Sequence, residues 1–226
     1  MTRTADAPPT LDRKAIDGAL RQRFWPALKA HGFGARTSRV AWRYAGDDID
    51  VIEVQAVGQE AEAVGCTSSS LSVIVASYPR FLPRTDRIPT RDGRLRPHYW
   101  HCDPFRRSMR KSLSQAWFRP FSQPVDRRML PSFRLHRDAL MKLVDRSVRD
   151  IPEIWFMKHD GSNLVENVDD MVSVVLNEGL DLLDRFHDPH VVLELIDSGW
   201  LLVPDSPRAY ELQEAISDYL AAHPGG

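Results

Sequence analysis

Cysteine is nearly absent from this 226-residue chain: Cys66 and Cys102 are the only two. Two thiols do not make a disulfide framework, so stability must come from an apolar core, and the chain reads as a reduced, cytoplasmic protein. Long apolar runs are missing as well. No stretch approaches the roughly 18 uninterrupted apolar residues of a membrane span, so no membrane partner is expected. Residues 1–10, with Pro8 and Pro9, lack the apolar stretch of a secretory signal and read as a disordered tail. The usual catalytic signatures are missing too. There is no Gly-x-Ser-x-Gly, no Walker loop, no dinucleotide fingerprint and no His-Glu-x-x-His, and Gly58, Gly65 and Gly93 are too scattered to cradle a phosphate. Lysine is scarce, at 5 residues against 25 arginines, a bias that fits a GC-rich genome as well as a need for bidentate contacts. No internal repeat or low-complexity tract occurs.

What is present is enough for a folded core: 42% hydrophobic residues, with six Trp, nine Phe and five Tyr. The formal net charge of -1 conceals a strong asymmetry. Residues 1–77 balance, residues 78–150 carry a net +11, and residues 151–226 carry a net -12. A basic block is followed by an acidic one, and the two either neutralise each other or face different partners.

The pattern along the chain predicts an α+β fold. A helix starts near Leu11 with Thr10 as N-cap, is bent or interrupted by Pro26, and closes at His31-Gly32. Val40, Trp42 and Tyr44 alternate with Ala41 and Arg43, and after the turn Ala45-Gly46-Asp47-Asp48 a second alternating run reaches Ala56. In that run Ile52, Val54 and Ala56 are expected to face the core. Ser70–Tyr78 reads as another strand. Residues 79–104 form an Arg/Pro-rich stretch expected to be a long loop. Helices are expected over Phe105–Trp117 and Leu135–Val148, and a short strand over Ile154–Met157. Leu164–Leu183 is an amphipathic helix with Asp169, Asp170, Glu178, Asp181 and Asp184 on its solvent side. A short helix over Val191–Ile196, an extended piece at Trp200–Val203 and a last helix opened by Ser206-Pro207 complete an acidic helical portion, 164–223. The expectation is a single domain, 1–226, with an antiparallel sheet of about four strands, an N-terminal helix and a C-terminal helical portion.

Three clusters have functional composition. His98-Tyr99-Trp100-His101-Cys102-Asp103 concentrates two imidazoles, a thiol and a carboxylate, all lone-pair donors suited to a metal such as Zn. Its candidate ligands are His98, His101 and Cys102, and His187-Asp188-Pro189-His190 offers a second His pair. Pairing Cys102 with His101 for nucleophilic catalysis is disfavoured, because neighbours in sequence usually point apart. Asp47, Asp48 and Asp50 are expected to serve the hairpin turn. The basic segment 80–137 has the composition of a phosphate-contacting surface, with Arg84, Arg87, Arg106, Arg107 and Arg110 as candidate contacts near Tyr99, Trp100 and Phe105. Arg106, Arg107, Arg110 and Lys111 would form one patch on a helix.

The order of motifs also carries a resemblance. Leu28-Lys29-Ala30-His31-Gly32-Phe33, then Trp42-Arg43-Tyr44, then Ile52-Glu53-Val54-Gln55 and Leu71-Ser72-Val73-Ile74-Val75 resemble the uncharacterised bacterial family catalogued as domain of unknown function 4304, mainly over residues 11–82 and more weakly to about residue 200. The Arg/Pro-rich stretch 79–104 departs from that pattern in length. The resemblance implies a compact α+β domain with no established catalytic residues, of a style associated with immunity or defence. The leading functional expectation is a non-enzymatic cytoplasmic binding protein that engages a protein partner, with no cofactor. A nucleic-acid-binding or processing factor is the first alternative, and a metal-dependent enzyme the second.

Overall fold

The computed structural model describes residues 11–57, 67–82, 87–102, 104–109, 154–155 and 157–224. The residues 1–10, the thiol Cys66, the arginines Arg84 and Arg110 and the expected helix Leu135–Val148 lie outside them. The chain divides into two compact units, one of residues 1–27, 54–73 and 110–174, the other of residues 28–53, 74–109 and 175–226. The strands β1 (Ala35–Arg36), β2 (Val40–Ala45), β3 (Asp48–Ala56), β4 (Leu71–Tyr78) and β7 (Arg106–Ser108) lie in that order in one five-stranded antiparallel sheet, with β5 (Thr90–Arg91) and β6 (Arg94–Leu95) as a separate pair. The fold is α+β, as the residue pattern predicts.

In the first unit, helix α1 (Arg13–Ala19) begins two residues later than expected, because Asp12 rather than Thr10 caps it. The Asp12 carboxylate accepts a hydrogen bond from the Ala15 N–H at 2.7 Å. Pro26 does not break the helical run. A π turn (Leu20–Phe24) precedes it, and α2 (Trp25–Lys29) carries the run on. The extra residue in that turn shifts the carbonyls ahead of a ring that has no N–H to donate and that crowds the carbonyl four residues back. Helix α3 (Leu164–Val174) packs on α1 and the π turn, burying Val168 and Met171. Arg23 donates to both carboxylate oxygens of Asp169, at 2.6 and 2.5 Å. Of the expected strand at Ile154–Met157, the described residues show a bridge, in which Trp155 exchanges two backbone hydrogen bonds with Leu71.

In the second unit the helix end has the geometry glycine permits. Gly32 has φ +91°, Phe33 donates to the Leu28 carbonyl and Gly32 to that of Lys29. A short strand β1 (Ala35–Arg36), not foreseen, pairs with β2 (Val40–Ala45). The β2–β3 hairpin matches expectation, with β3 at Asp48–Ala56 and Ala45 opposite Asp48. Strand β4 is Leu71–Tyr78.

Three expectations are corrected. The stretch 79–104 is not a featureless loop. It holds a hairpin of β5 (Thr90–Arg91) and β6 (Arg94–Leu95), turned by Asp92 (φ 54°) and Gly93 (φ 73°), and a 3-10 turn (Tyr99–Cys102). The start of the expected helix at Phe105 is instead strand β7 (Arg106–Ser108), paired with β4 as Val75 opposite Arg107 and Ala76 opposite Arg106. Trp200, Leu201 and Leu202 form bends rather than an extended piece. The acidic helical portion is present as a π turn (Val175–Gly179), α4 (Leu180–Phe186), α5 (Pro189–Asp197) and α6 (Pro207–Ala222), capped at α5 by Asp188 and at α6 by Ser206.

Period-2 alternation divides the second unit's strand residues between two faces. Val40, Trp42, Tyr44, Ile49 and Val51 look one way and pack with Ile88, Leu95, Tyr99 and Cys102 of the 79–104 stretch. Arg43, Asp48, Asp50 and Val75 look the other way, toward the helices. A Cβ on Gly179 would sit 3.1 Å from the Val75 side chain.

Candidate functional site

The helical side carries a buried ionic cluster. Asp50 is fully buried near the start of β3, and its two oxygens have different partners. Arg43 Nε, opposite it on β2, donates to Oδ2 at 2.7 Å, and His187 Nε2 at the end of α4 lies 2.8 Å from Oδ1. Arg43 also donates to Asp184 Oδ1 at 2.6 Å, and its guanidinium lies over the Phe33 ring. Two residues away, Asp48 accepts from the Arg80 backbone N–H at 2.6 Å and from its guanidinium at 2.7 Å, while Arg80 Nε donates to the Tyr219 hydroxyl of α6. Strand β3 is thereby fastened to α4 and α6 through charge-assisted bonds. Burial opposes ionisation of His187, but the Asp50 hydrogen bond and charge, with help from Asp48 and against Arg43, raise its pKa. Burial likewise works against the charge of Arg43, yet Asp50 and Asp184 hold its pKa above the ordinary value. Each of these groups already has a protein partner, so the cluster works as a clasp.

The opposite side carries cation–aromatic couples. Trp42 donates its indole N–H to the Pro97 carbonyl at 2.7 Å and has Arg96 over its ring; Tyr44 donates to the Leu95 carbonyl and has Arg94 over its ring. Arg106 lies over Tyr99, 5.3 Å from the ring centre. Beside it, the His98 imidazole stacks on the Trp100 indole, 4.2 Å apart and 4° from parallel. Trp100 stays 51% exposed.

The expected metal cluster is brought together only in part. His101 Nδ1 accepts the His98 backbone N–H at 2.9 Å, His98 Nδ1 lies 3.2 Å from Glu53 Oε2, and the Cys102 thiol donates to the His98 carbonyl at 3.5 Å. Among the described residues, no group of three or more His, Cys, Asp or Glu side chains is placed to hold a metal ion. Cys102 is completely buried. That burial, with the charges of Asp50 and Glu53, pushes its pKa far up despite Arg106, so it stays a thiol rather than the nucleophilic thiolate. His187 belongs to the Asp50 clasp and not to a second ligand pair with His98.

The arginine candidates separate. Arg87 and Arg106 are exposed and Arg107 is partly buried. Arg106 and Arg107 do not share a helical patch: as neighbours in β7 they leave opposite faces of the sheet, Arg106 to Tyr99 and Arg107 to Trp200, 5.0 Å from its ring centre. Asp48 and Asp50, assigned to turn geometry from their sequence, prove to be buried strand residues. The two-residue turn Gly46-Asp47 sets Arg43 opposite Asp50, so that pairing was legible once the register was known. His187 and Tyr219 had no comparable signal.

Comparison with known proteins finds no matching family model, no matching curated protein and no matching solved structure.

Proposed function

We propose that the chain is a non-enzymatic binding protein whose acidic helical side engages a basic surface of a protein partner. The observation that carries this reading is the segregation of charge across the sheet of the second unit. Glu178, Asp181, Asp184, Asp188, Glu194, Asp197, Glu211, Glu214 and Asp218 are all exposed on its helical portion, against the exposed Arg185 and Arg208. The exposed Arg87, Arg91, Arg94 and Arg106 belong to the stretch around the other face. Complementary charge accelerates encounter and selects the partner. The engaged state of the groups fit for chemistry supports binding over turnover: Cys102 is a buried thiol, and Asp50, Arg43 and His187 are tied to one another. The resemblance to the bacterial family of unknown function 4304 adds the finer proposal of an immunity-type or defence-associated, cytoplasmic factor.

Affinity purification from the native host, with the wild type and a variant carrying Asp181→Lys, Glu214→Lys and Asp218→Lys as baits, tests the reading. The expected result is a basic protein held by the wild type, released by salt, and lost from the charge-reversed bait. Equal retention by both baits, or turnover of any substrate that depends on one side chain, would overturn it.

A further inference from the structure

The arginine side of the second unit, away from the acidic helices, presents a different chemistry and is independent of the reading above. We propose that the His98–Trp100 stack, with Arg106 beside it, is a binding platform for single-stranded nucleic acid. Among the described residues Trp100 is the most exposed indole, at 51% against 41% for Trp200, whereas Trp side chains are on average highly buried. This one is also held still. Its ring lies parallel to His98, whose Nδ1 is anchored 3.2 Å from the Glu53 carboxylate on β3, and Tyr99 meets it edge-on at 5.2 Å. The backbone of the 3-10 turn is pinned in turn by the Cys102 thiol and the His101 ring on residue 98. A rigid, exposed, flat ring is what a base needs to stack on, and every base has such a face.

The charge around the platform matches a phosphate backbone. Arg106 projects over Tyr99, the residue next to Trp100, and is exposed; Arg94, also exposed, sits on Tyr44 along the same face of the sheet, while Arg96, over Trp42, is tied to Asp92 at 3.1 Å. The planar guanidinium fork of an exposed arginine matches the geometry of phosphate oxygens. Single strands are favoured over a duplex because paired bases are already stacked and cannot reach Trp100. They are favoured over an acidic protein because carboxylates would answer the arginines but leave the indole without a role.

The test is fluorescence anisotropy of the full chain with labelled oligouridylate and oligothymidylate of about 12 nucleotides, with a duplex of equal length and polyglutamate as competitors. The expected results are binding of single strands at low salt, weak competition by the duplex and by polyglutamate, and affinity lowered between about fivefold and a hundredfold by Trp100→Ala. Trp100→Phe, which keeps a ring, should stay within a few-fold of wild type. Arg106→Ala should reduce the slope of log affinity against log salt by about 0.7. Melting curves of each variant report on folding, and Trp100→Phe with Arg106→Ala decides the matter even if Trp100→Ala fails to fold. No binding at low salt, affinity untouched by Trp100→Ala in a folded protein, or equal competition by polyglutamate or duplex would overturn the proposal. None of these outcomes touches the acidic helices, so the fate of the protein-binding reading is settled separately.

Discussion

Asp50 shows how one side chain can be at once costly and indispensable. A carboxylate with no exposed surface is tolerable only because Arg43 and His187 satisfy both oxygens. Asp50→Ala strands both cations, and its expected cost is about 3–5 kcal/mol of stability by urea unfolding. The same cluster sets a pH dependence. The folded-state pKa of His187 is raised, so protonation favours the fold. The stabilisation is complete below the unfolded value of about 6.5 and is lost as the pH rises through the raised folded value. The urea midpoint should therefore fall as the pH rises above about 6.5, and His187→Gln should flatten that decline. A slope unchanged in the variant would assign the pH dependence elsewhere.

Elements were legible where a local signal dominated and misread where a tertiary partner chose. The hairpin β2–β3, strand β4 and the acidic helices follow from alternation, caps and helical spacing alone. Strand β7 does not. Phe105 and Met109 are buried and four apart, which suits a helix, but pairing with β4 makes the intervening Arg106 and Arg107 diverge. Pro26 predicted an interruption, and a π turn absorbed it instead. Two local devices in the first unit give clear expectations. Gly161 has φ +68°, and a Cβ there would lie 3.1 Å from Leu11 Cδ1, so Gly161→Ala should cost about 1–2 kcal/mol through both the left-handed backbone and the crowding. Asp12→Ala removes the cap of α1 and should cost about 1 kcal/mol. Thermal unfolding of the two variants checks both.

At the scale of the whole molecule, a net charge of -1 coexists with acidic helices and an arginine-rich stretch on opposite sides of one sheet. Molecules with little net charge and opposed charged faces attract one another head to tail when salt is low. Light scattering should show reversible self-association at about 0.01 M salt that disperses near 0.15 M, where the screening length falls to about 8 Å. A particle size independent of salt would mean that the two faces do not meet between copies.

The amino-acid sequence by itself determined the α+β class, the three long strands β2, β3 and β4, most of the described helices, the scarcity of disulfide or membrane options and the segregation of charge along the chain. These properties are carried by local periodicity and composition. Only the tertiary structure decided that Asp48 and Asp50 are buried ion-pair partners, that adjacent Arg106 and Arg107 serve opposite faces, and that Trp100 is left exposed on a stacked histidine. Part of that pairing joins residues more than 100 positions apart, such as Asp50 and His187. No spacing rule within a segment can encode which distant side chain arrives to neutralise a charge.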